Sequence, residues 1–359
     1  LGDVYKRQAY MDMNGFYKDK KILVTGYTGF KGAYLSHILY RMGADVFGYA
    51  LAPQTEPALH TILQQSNQVR GVLADIRDYN RLQEVFDTVQ PEIVFHLAAQ
   101  PLVRESYHNP RYTYETNVLG TVNVCECIRK SRTVKSFVNV TTDKVYLNEE
   151  QEVPFTEDMS LDGLDPYSNS KSCSELVTHS YVHSFLRAQE VAVSTVRAGN
   201  VIGGGDYATD RIIPDCVRAV SRGKTIVIRN PHSIRPYQHV LEPLYAYLLI
   251  AMQQYENPEK QGSYNVGPEL DSCITTGELA DLFCKYWKGA EWLNQYDGGP
   301  YESGCLKLDC RKIRNMLGWR PRWSVEEAVK KTVEWYQAYS NGEDMIPITN
   351  QQIGEMFNV

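Results

Sequence analysis

Tyr167 and Lys171 are the residues whose type and spacing most directly indicate chemistry. They lie four positions apart at the start of a predicted helix, so both side chains occupy one helix face. An ammonium beside a phenol lowers the phenol's pKa from its reference value of about 10. The pair therefore predicts that Tyr167 acts as an acid–base group near neutral pH, supported by Lys171.

A second polar cluster follows a predicted buried strand, in the segment Val140–Tyr146 (VTTDKVY). Ligands of open α/β sheets bind at the carboxyl ends of parallel strands, so this segment is expected to meet Tyr167. The alternative for Asp143 and Lys144 is a solvated loop pair. We favour the site interpretation, and the predicted catalytic residues are Thr142, Asp143, Lys144, Tyr167 and Lys171.

A glycine-rich loop, Gly26–Gly32 (GYTGFKG), lies between the first predicted strand and the first predicted helix. Glycines there allow a tight turn and a close approach to a pyrophosphate, which the helix N-terminus also attracts. The alternative is a turn without a ligand.

Asp75 ends the third strand, where its carboxylate can accept a hydrogen bond from an adenine amino group. The second strand ends Tyr49-Ala50-Leu51, without the acid that selects NAD over NADP.

Short apolar runs alternate with amphipathic segments from Lys21 onward, which predicts an α/β fold: a Rossmann doubly wound parallel sheet with a smaller, discontinuous C-terminal α+β substrate lobe. The predicted strands are 21–25, 45–50, 70–74, 92–97, 135–141 and 191–197, with short strands at 225–229 and 237–240; the predicted helices are 29–42, 80–89, 111–130, 166–186, 276–287 and 325–339. Residues 1–17 are expected to be a disordered or non-native tail. The NAD-binding domain is placed at 18–200 plus about 236–262, and the lobe at 201–235 and 263–345.

Composition narrows the function classes. The 359-residue chain carries a net charge of −6, which argues against nucleic-acid binding because that requires a basic face. No apolar run approaches the roughly 20 residues of a membrane span. The eight cysteines lack the spacing of a metal site. We therefore expect reduced cysteines, no metal and a cytoplasmic protein.

Seven segments resemble the extended short-chain dehydrogenase/reductase family from about Lys20 to Tyr339, most of all its dehydratases that act on CDP-glucose. They are VTGYTGFKG (24–32), HLAAQPLVRESY (96–107), TNVLGT (116–121), VTTDKVY (140–146), DPYSNSK (165–171), RAGNVIGGGDYATDRIIPD (197–215) and IRPYQHVLEPL (234–244). The resemblance implies a hydro-lyase with tightly bound NAD. It would convert CDP-D-glucose to CDP-4-dehydro-6-deoxy-D-glucose, a deoxysugar precursor of bacterial surface polysaccharides such as O-antigen.

The implied reaction is an oxidation, an elimination and a reduction. Tyr167 takes the proton of the sugar 4-hydroxyl while hydride passes from C4 to NAD, and Thr142 hydrogen-bonds that oxygen. The 4-ketone acidifies the C5 proton, water leaves from C6, and hydride returns to C6. Other dehydratases place Asp then Glu after the Thr. Here Lys144 follows Asp143, so Lys144 is either the C5 base or the acid.

Site residues follow from the motifs and the resemblance. The expected cofactor contacts are Gly26, Thr28, Gly29, Phe30, Lys31, Gly32, Asp75, Ile76, Leu97, Ala98, Ala99, Gln100, Val140, Tyr167, Lys171 and Arg197. The expected substrate contacts are Ser106, Asn200, Arg211, Arg235, His239 and Tyr301. Of these, His239 has a structural alternative, and Arg211 and Arg235 each have the alternative of a surface salt bridge. The family likeness also predicts a homodimer formed through the helix at 111–130 and the helix that carries Tyr167.

Two other functions remain open at the level of sequence. One is a different nucleotide-sugar dehydratase or a C4 epimerase of the same family, although an epimerase does not need Asp143 and Lys144 beside Tyr167. The other is a non-catalytic NAD-binding scaffold, which intact Thr142, Tyr167 and Lys171 argue against.

Overall fold

A parallel sheet of seven strands forms the centre of the protein, here a computed structural model that describes residues 12–149, 153–296 and 304–359. The sheet order is β3-β2-β1-β4-β5-β6-β11, with every neighbouring pair parallel. Its strands are β1 (Lys21–Thr25), β2 (Asp45–Ala50), β3 (Arg70–Leu73), β4 (Ile93–His96), β5 (Ser136–Val140), β6 (Ala192–Ala198) and β11 (Gly262–Val266). The Rossmann-type fold expected from the sequence is confirmed.

The central strands are buried on both faces, which is why they read as continuous apolar runs. Successive side chains of a strand point to opposite faces. In β1, Ile22 and Val24 belong to one hydrophobic cluster and Leu23 to the other. In β5, Val138 and Phe137 divide in the same way. The two clusters are the two helix-covered faces of a doubly wound sheet.

The helices cover these faces and build the remainder of the chain. They are α1 (Met13–Tyr17), α2 (Phe30–Arg41), α3 (Leu59–Leu63), α4 (Tyr79–Val89), α5 (Val103–His108), α6 (Pro110–Tyr114), α7 (Gly120–Lys130), α8 (Pro166–Tyr181), α9 (Ile212–Val220), α10 (Leu241–Glu256), α11 (Thr276–Tyr286), α12 (Arg311–Leu317), α13 (Val325–Ser340) and α14 (Met345–Phe357). Two π-helical segments fall within the predicted helices: Glu115–Leu119 divides the one at 111–130, and Val182–Leu186 forms the end of the one at 166–186. The first adds a wider turn within a continuing helix, whereas the second leads into the 3₁₀ segment Arg187–Gln189, where the helical run ends.

The C-terminal part of the chain contributes short two-stranded pairs beside the main sheet. They combine β7 (Val201–Ile202) with β10 (Gln238–His239), β8 (Ile226–Ile228) with β13 (Trp292–Asn294), and β9 (Ile234–Arg235) with β12 (Ile274–Thr275). The predicted start of the second lobe segment at residue 263 lies too early in the chain. Strand β11 covers this position and pairs with β6 as an edge strand of the main sheet. The remaining domain boundaries stay a proposal.

The N-terminal helix α1 corrects a second boundary. Residues 1–17 were expected to form a tail, yet Tyr17 is fully buried and its hydroxyl donates to the Leu248 carbonyl at 2.6 Å. That contact fixes α1 to α10, so residues 12–17 belong to the fold. Residues 1–11 lie outside the described residues.

All eight cysteines are free thiols. In the described parts of the chain, the helices lack the length and unbroken apolar character that a membrane crossing needs. Within the same residues, His, Cys, Asp and Glu side chains form no group of three that could hold a metal ion.

Candidate active site

One large cavity of about 1240 Å³ opens where the strands of the main sheet end. Its wall contains the glycine loop after β1, Asp75 and Ile76 after β3, Leu97–Gln100 after β4, and Thr141–Lys144 after β5. These are carboxyl ends of parallel strands, where open α/β sheets bind ligands. The structure thus brings together the predicted residues Gly26, Thr28, Gly29, Phe30, Lys31, Gly32, Asp75, Ile76, Leu97, Ala98, Ala99, Gln100, Val140, Thr142, Asp143, Lys144, Tyr167, Lys171, Asn200, Arg211 and Arg235.

The glycine loop has no room for side chains at two positions. Gly26 has φ +76°, and a Cβ there would lie 2.7 Å from the Ala98 backbone nitrogen. A Cβ on Gly32 would lie 2.0 Å from the Gly26 carbonyl oxygen. Helix α2 begins directly after Gly29, which supplies no side-chain cap. The N–H groups and positive dipole end of α2 therefore face the cavity, as an anion site requires.

Tyr167 lies on the first turn of α8, with 8% of its surface exposed. Burial raises the pKa of its phenol to about 12, although hydrogen bonding with Thr142 opposes this shift. The prediction that Lys171 lowers this pKa below 10 is therefore wrong for the protein on its own. Desolvation is the larger effect, because it penalises the charged phenolate.

Lys171 extends from the next turn of α8 beneath the same wall. Its Nζ donates to the Val140 carbonyl at 3.1 Å, at the end of β5. Burial lowers the pKa of this amine to about 8, and the nearby Glu175 carboxylate opposes that shift. The hydrogen bond fixes the ammonium at the strand end.

Thr142, Asp143 and Lys144 form a connected group and not a solvated loop pair. The Thr142 hydroxyl donates to Asp143 Oδ1 at 3.1 Å, and Lys144 Nζ donates to the same oxygen at 3.3 Å. Lys144 Nζ also donates to Asn200 Oδ1 at 3.3 Å. Asp143 is 1% exposed, and its Oδ2 has no hydrogen-bond partner among the described residues. A buried carboxylate oxygen of this kind is suited to a substrate hydroxyl.

Two arginines line the other side of the cavity. Arg235 is buried, whereas Arg211 is about a third exposed and pairs with Asp206 at 3.3 Å. Arg104 and Arg229, which were not predicted, line the same cavity, and Arg229 pairs with Asp210 at 2.9 Å. Arg104 lies within the VRESY segment, so the motif itself could have indicated it.

Three predicted contacts do not line the cavity. Arg197 was expected at the cofactor, yet it is buried in an ion pair with Glu175 at 2.9 Å. Ser106 is buried, and its hydroxyl donates to the Val103 carbonyl at 2.6 Å. His239 packs edge-on against Trp323, and burial lowers its pKa to about 3, which agrees with its structural alternative. Tyr301 lies outside the described residues.

Asp75 reaches the cavity but is already engaged. Both of its carboxylate oxygens accept from the Arg77 side chain, Oδ1 at 3.1 Å and Oδ2 at 2.7 Å. The side-chain hydrogen bond from Arg77 holds the pKa of Asp75 below its usual value. Arg77 therefore holds the Asp75 carboxylate ionised and in one orientation.

Comparison with known proteins agrees with this geometry. A family model described as GDP-mannose 4,6 dehydratase matches residues 23–332. A protein of Salmonella typhimurium strain LT2, CDP-glucose 4,6-dehydratase, is 43% identical and aligns over 95% of this chain and 97% of its own length. The dTDP-D-glucose 4,6-dehydratase of Bos taurus is 27% identical over 89% of each chain.

Solved structures share the fold. The Bacillus anthracis dTDP-glucose 4,6-dehydratase in complex with NAD superposes with a TM-score of 0.73 at 22% identity, covering 92% of this chain and 99% of that one. MoeE5 in complex with UDP-glucuronic acid and NAD superposes with a TM-score of 0.76 at 23% identity, covering 89% of this chain and 99% of that one.

The strand order of the sheet and the glycine loop after β1 together define a dinucleotide-binding α/β protein of the Rossmann type. Within that class, the chain belongs to the GDP-mannose 4,6-dehydratase family. The family assignment expected from the sequence motifs is confirmed.

The loop geometry makes a testable distinction between two glycines. Gly32→Ala places a methyl group against the Gly26 carbonyl and should lower the melting temperature of the ligand-free protein. Gly29→Ala, whose Cβ would lie 3.4 Å from the same oxygen, should melt within a degree or so of wild type. Gly29→Ala should nevertheless weaken NAD binding about tenfold or more, because its methyl group blocks the pyrophosphate. A tenfold weaker affinity is a loss of about 1.4 kcal/mol in binding free energy. Differential scanning fluorimetry and calorimetric NAD titration measure the two effects. Equal melting temperatures for both variants would contradict the packing argument.

Proposed function

We propose that this protein is an NAD-dependent nucleotide-sugar 4,6-dehydratase that converts CDP-glucose to CDP-4-dehydro-6-deoxyglucose and water. The observation that carries the proposal is the convergence of Thr142, Asp143, Lys144 and Tyr167 on the cavity that also contains the glycine loop. The 43% identity to a CDP-glucose 4,6-dehydratase, over nearly the full length of both chains, supports the choice of substrate.

The residues present fit a dinucleotide. Gly26 and Gly32 leave a backbone cradle that any Cβ would fill, and the uncapped start of α2 faces it. Asp75 and Ile76 would hold the adenosine end, and Lys171 the nicotinamide ribose. Bound NAD supplies the hydride acceptor for oxidation at C4 and the hydride donor for reduction at C6.

The chain's own residues move the protons. Tyr167 accepts the proton of the 4-hydroxyl as C4 is oxidised, and Thr142 hydrogen-bonds the developing carbonyl oxygen. The ketone makes the C5 proton acidic, so a base removes it and the 6-hydroxyl leaves as water after protonation. Asp143 and Lys144 are the pair beside Tyr167 for these two transfers, and their shared hydrogen bond couples them. Reduction at C6 and reprotonation at C5 complete the sequence.

The diphosphate of the substrate is assigned to Arg211 and Arg235, with Asn200 beside them. Guanidinium groups bind phosphate oxygens through paired N–H donors. In a chain with a net charge of −6, local arginines of this kind are the means of holding a dianionic ligand. Both side chains reach the cavity that contains Tyr167.

Substrate turnover tests the proposal. CDP-, UDP-, dTDP- and GDP-glucose are supplied separately, and the 4-keto product is measured by its near-ultraviolet absorbance in alkali. CDP-glucose should give the fastest product formation. Tyr167→Phe should lower kcat by about 10²- to 10⁴-fold, because it removes the acid–base group. Tyr181→Phe, at the far end of α8, is the matched control and should retain wild-type turnover. An epimerised product without the keto absorbance would overturn the dehydratase assignment, and NAD binding without turnover of any sugar would favour a scaffold.

We also propose a homodimer, for which an exposed apolar surface gives support. Tyr114, Leu119, Leu176 and Phe185 are each between 36% and 54% exposed. They lie on α6, α8 and the adjoining π-helical segments. Apolar groups of this kind mark protein contacts.

The free cysteines fit the reducing cytoplasm, where the product would feed the synthesis of surface deoxysugars.

The dimer proposal predicts a specific effect of charge on this surface. Leu176→Glu should shift the protein from dimer to monomer in sedimentation velocity at micromolar concentration, since it buries a carboxylate in an apolar interface. Leu73→Glu, at the end of β3 and 61% exposed, is the matched control and should leave the mass unchanged. A wild-type monomer at that concentration would refute the proposal.

A further inference from the structure

Glu175 is a fully buried acid for which the proposed reaction has no direct use. It lies on α8, four residues after Lys171 and eight after Tyr167. The spacing places all three side chains along one face of the helix. None of its surface is exposed, and it does not line the cavity. An ionised group so deep in a protein requires partners.

Those partners surround both carboxylate oxygens. Oε1 accepts from the Thr141 hydroxyl at 2.6 Å and from Arg197 Nε at 3.0 Å. Oε2 accepts from the Thr195 hydroxyl at 2.7 Å and from Arg197 Nη2 at 2.9 Å. Although burial acts to raise it, the pKa of Glu175 lies below its usual value because Arg197 and the hydroxyls stabilise the anion. Glu175 is therefore ionised and held in one orientation.

Arg197 is itself anchored on its other side. Its Nη1 donates to the Tyr146 hydroxyl at 2.9 Å and to the Glu157 carbonyl at 3.0 Å. A guanidinium bound on both sides cannot move without breaking several hydrogen bonds. It thus fixes Glu175 from β6, the strand next to β5 in the sheet.

Glu175 and Lys171 bind consecutive residues at the end of β5. Lys171 donates to the Val140 carbonyl, and Glu175 accepts from the Thr141 side chain. Three other titratable groups lie near the ammonium: Lys31 on α2 is a second amine, His96 on β4 is buried, and the Tyr167 phenol is one turn earlier on α8. Asp143, after β5, lines the same cavity and acts on Lys31 and Tyr167. Glu175 is the acid that acts on Lys171.

We propose that Glu175, clamped by Arg197, is a positioning residue that keeps Lys171 protonated and directed toward the cofactor site. The catalytic meaning of this inference rests on the proposed function, in which Lys171 serves as an ammonium. Arg197, which the sequence assigned to the cofactor, then acts on the site through two other side chains.

The direction of the effect follows from the charges. Burial lowers the pKa of Lys171 to about 8, and Glu175 opposes that decrease. Lys171 is charged below its pKa and loses its proton as the pH rises through it. Without the carboxylate, the ammonium would be lost at a lower pH, within the neutral range.

Direct titration of Lys171 tests the inference in the ligand-free protein. Lysine labelled with ¹³C at the ε-carbon is followed by NMR across pH, and Lys171→Met identifies the signal. We expect a midpoint of about 8 in wild type and of about 7 or lower in Glu175→Gln. Arg197→Lys, which keeps a cation beside Glu175, should remain closer to wild type. Glu126→Gln, which removes an acid paired with Arg129 on α7, is the matched control and should leave the midpoint unchanged.

Glu175→Gln alone leaves the Arg197 charge buried without its partner and can unfold the chain. The double variant Glu175→Gln/Arg197→Met removes both charges and keeps the volume, and it should show the same downward direction. A Lys171 midpoint that stays near 8 in the folded single or double variant would overturn the proposal. The titration uses neither NAD nor sugar, so its outcome is independent of whether CDP-glucose is the substrate.

Discussion

The attachment of α8 to the carboxyl end of β5 is the interaction on which the site depends. Lys171 donates to the Val140 carbonyl and Ser172 to the Val145 carbonyl at 2.7 Å. Glu175 completes the contact through Thr141. The end of β5 and the 3₁₀ turn Asp143–Val145 that follows it are thus both bonded to one helix. Tyr167, at the start of that helix, is thereby held against Thr142.

Burial shifts the pKa values of Tyr167 and Lys171, the two proposed catalytic partners, in opposite directions. It raises the pKa of Tyr167 to about 12 and lowers that of Lys171 to about 8, in each case because the uncharged form is favoured away from water. The ligand-free site therefore holds a neutral phenol. Oxidised NAD brings a positively charged ring into the cavity, and positive charge favours the phenolate. The acid–base function proposed for Tyr167 therefore requires bound NAD.

Much of the fold could be predicted, because buried parallel strands read as apolar runs bounded by turn residues. The ends of β1 and β2 agree with the prediction, whereas β11 was missed. Its sequence, GSYNV, is short and mostly polar, and long-range pairing with β6 recruits it to the sheet. Helix α1 was missed for a similar reason, since its stability comes from the burial of Tyr17 against α10 and not from its own pattern.

The site was predictable where a motif fixes both position and direction. The glycine loop and the Thr142–Lys144 segment follow strand ends, so they had to reach the cavity. Arg197 lies within a strand, and a one-residue difference selects the opposite face of the sheet. Its partner Glu175 is 22 residues away in the chain, a pairing that no local spacing reveals. The sequence likewise could not decide whether His239 is structural or faces the substrate, because its burial depends on packing against the distant Trp323.

The ionisation of Tyr167 in the NAD complex is the most direct test of the account. The tyrosinate absorbance of wild type minus that of Tyr167→Phe, recorded across pH with and without NAD, isolates this residue among the 25 tyrosines. We expect a midpoint of about 12 without NAD, and a midpoint lower by about two pH units or more with NAD bound. A midpoint that remains at about 12 in the complex would contradict the assignment of Tyr167 as the group that accepts the 4-hydroxyl proton.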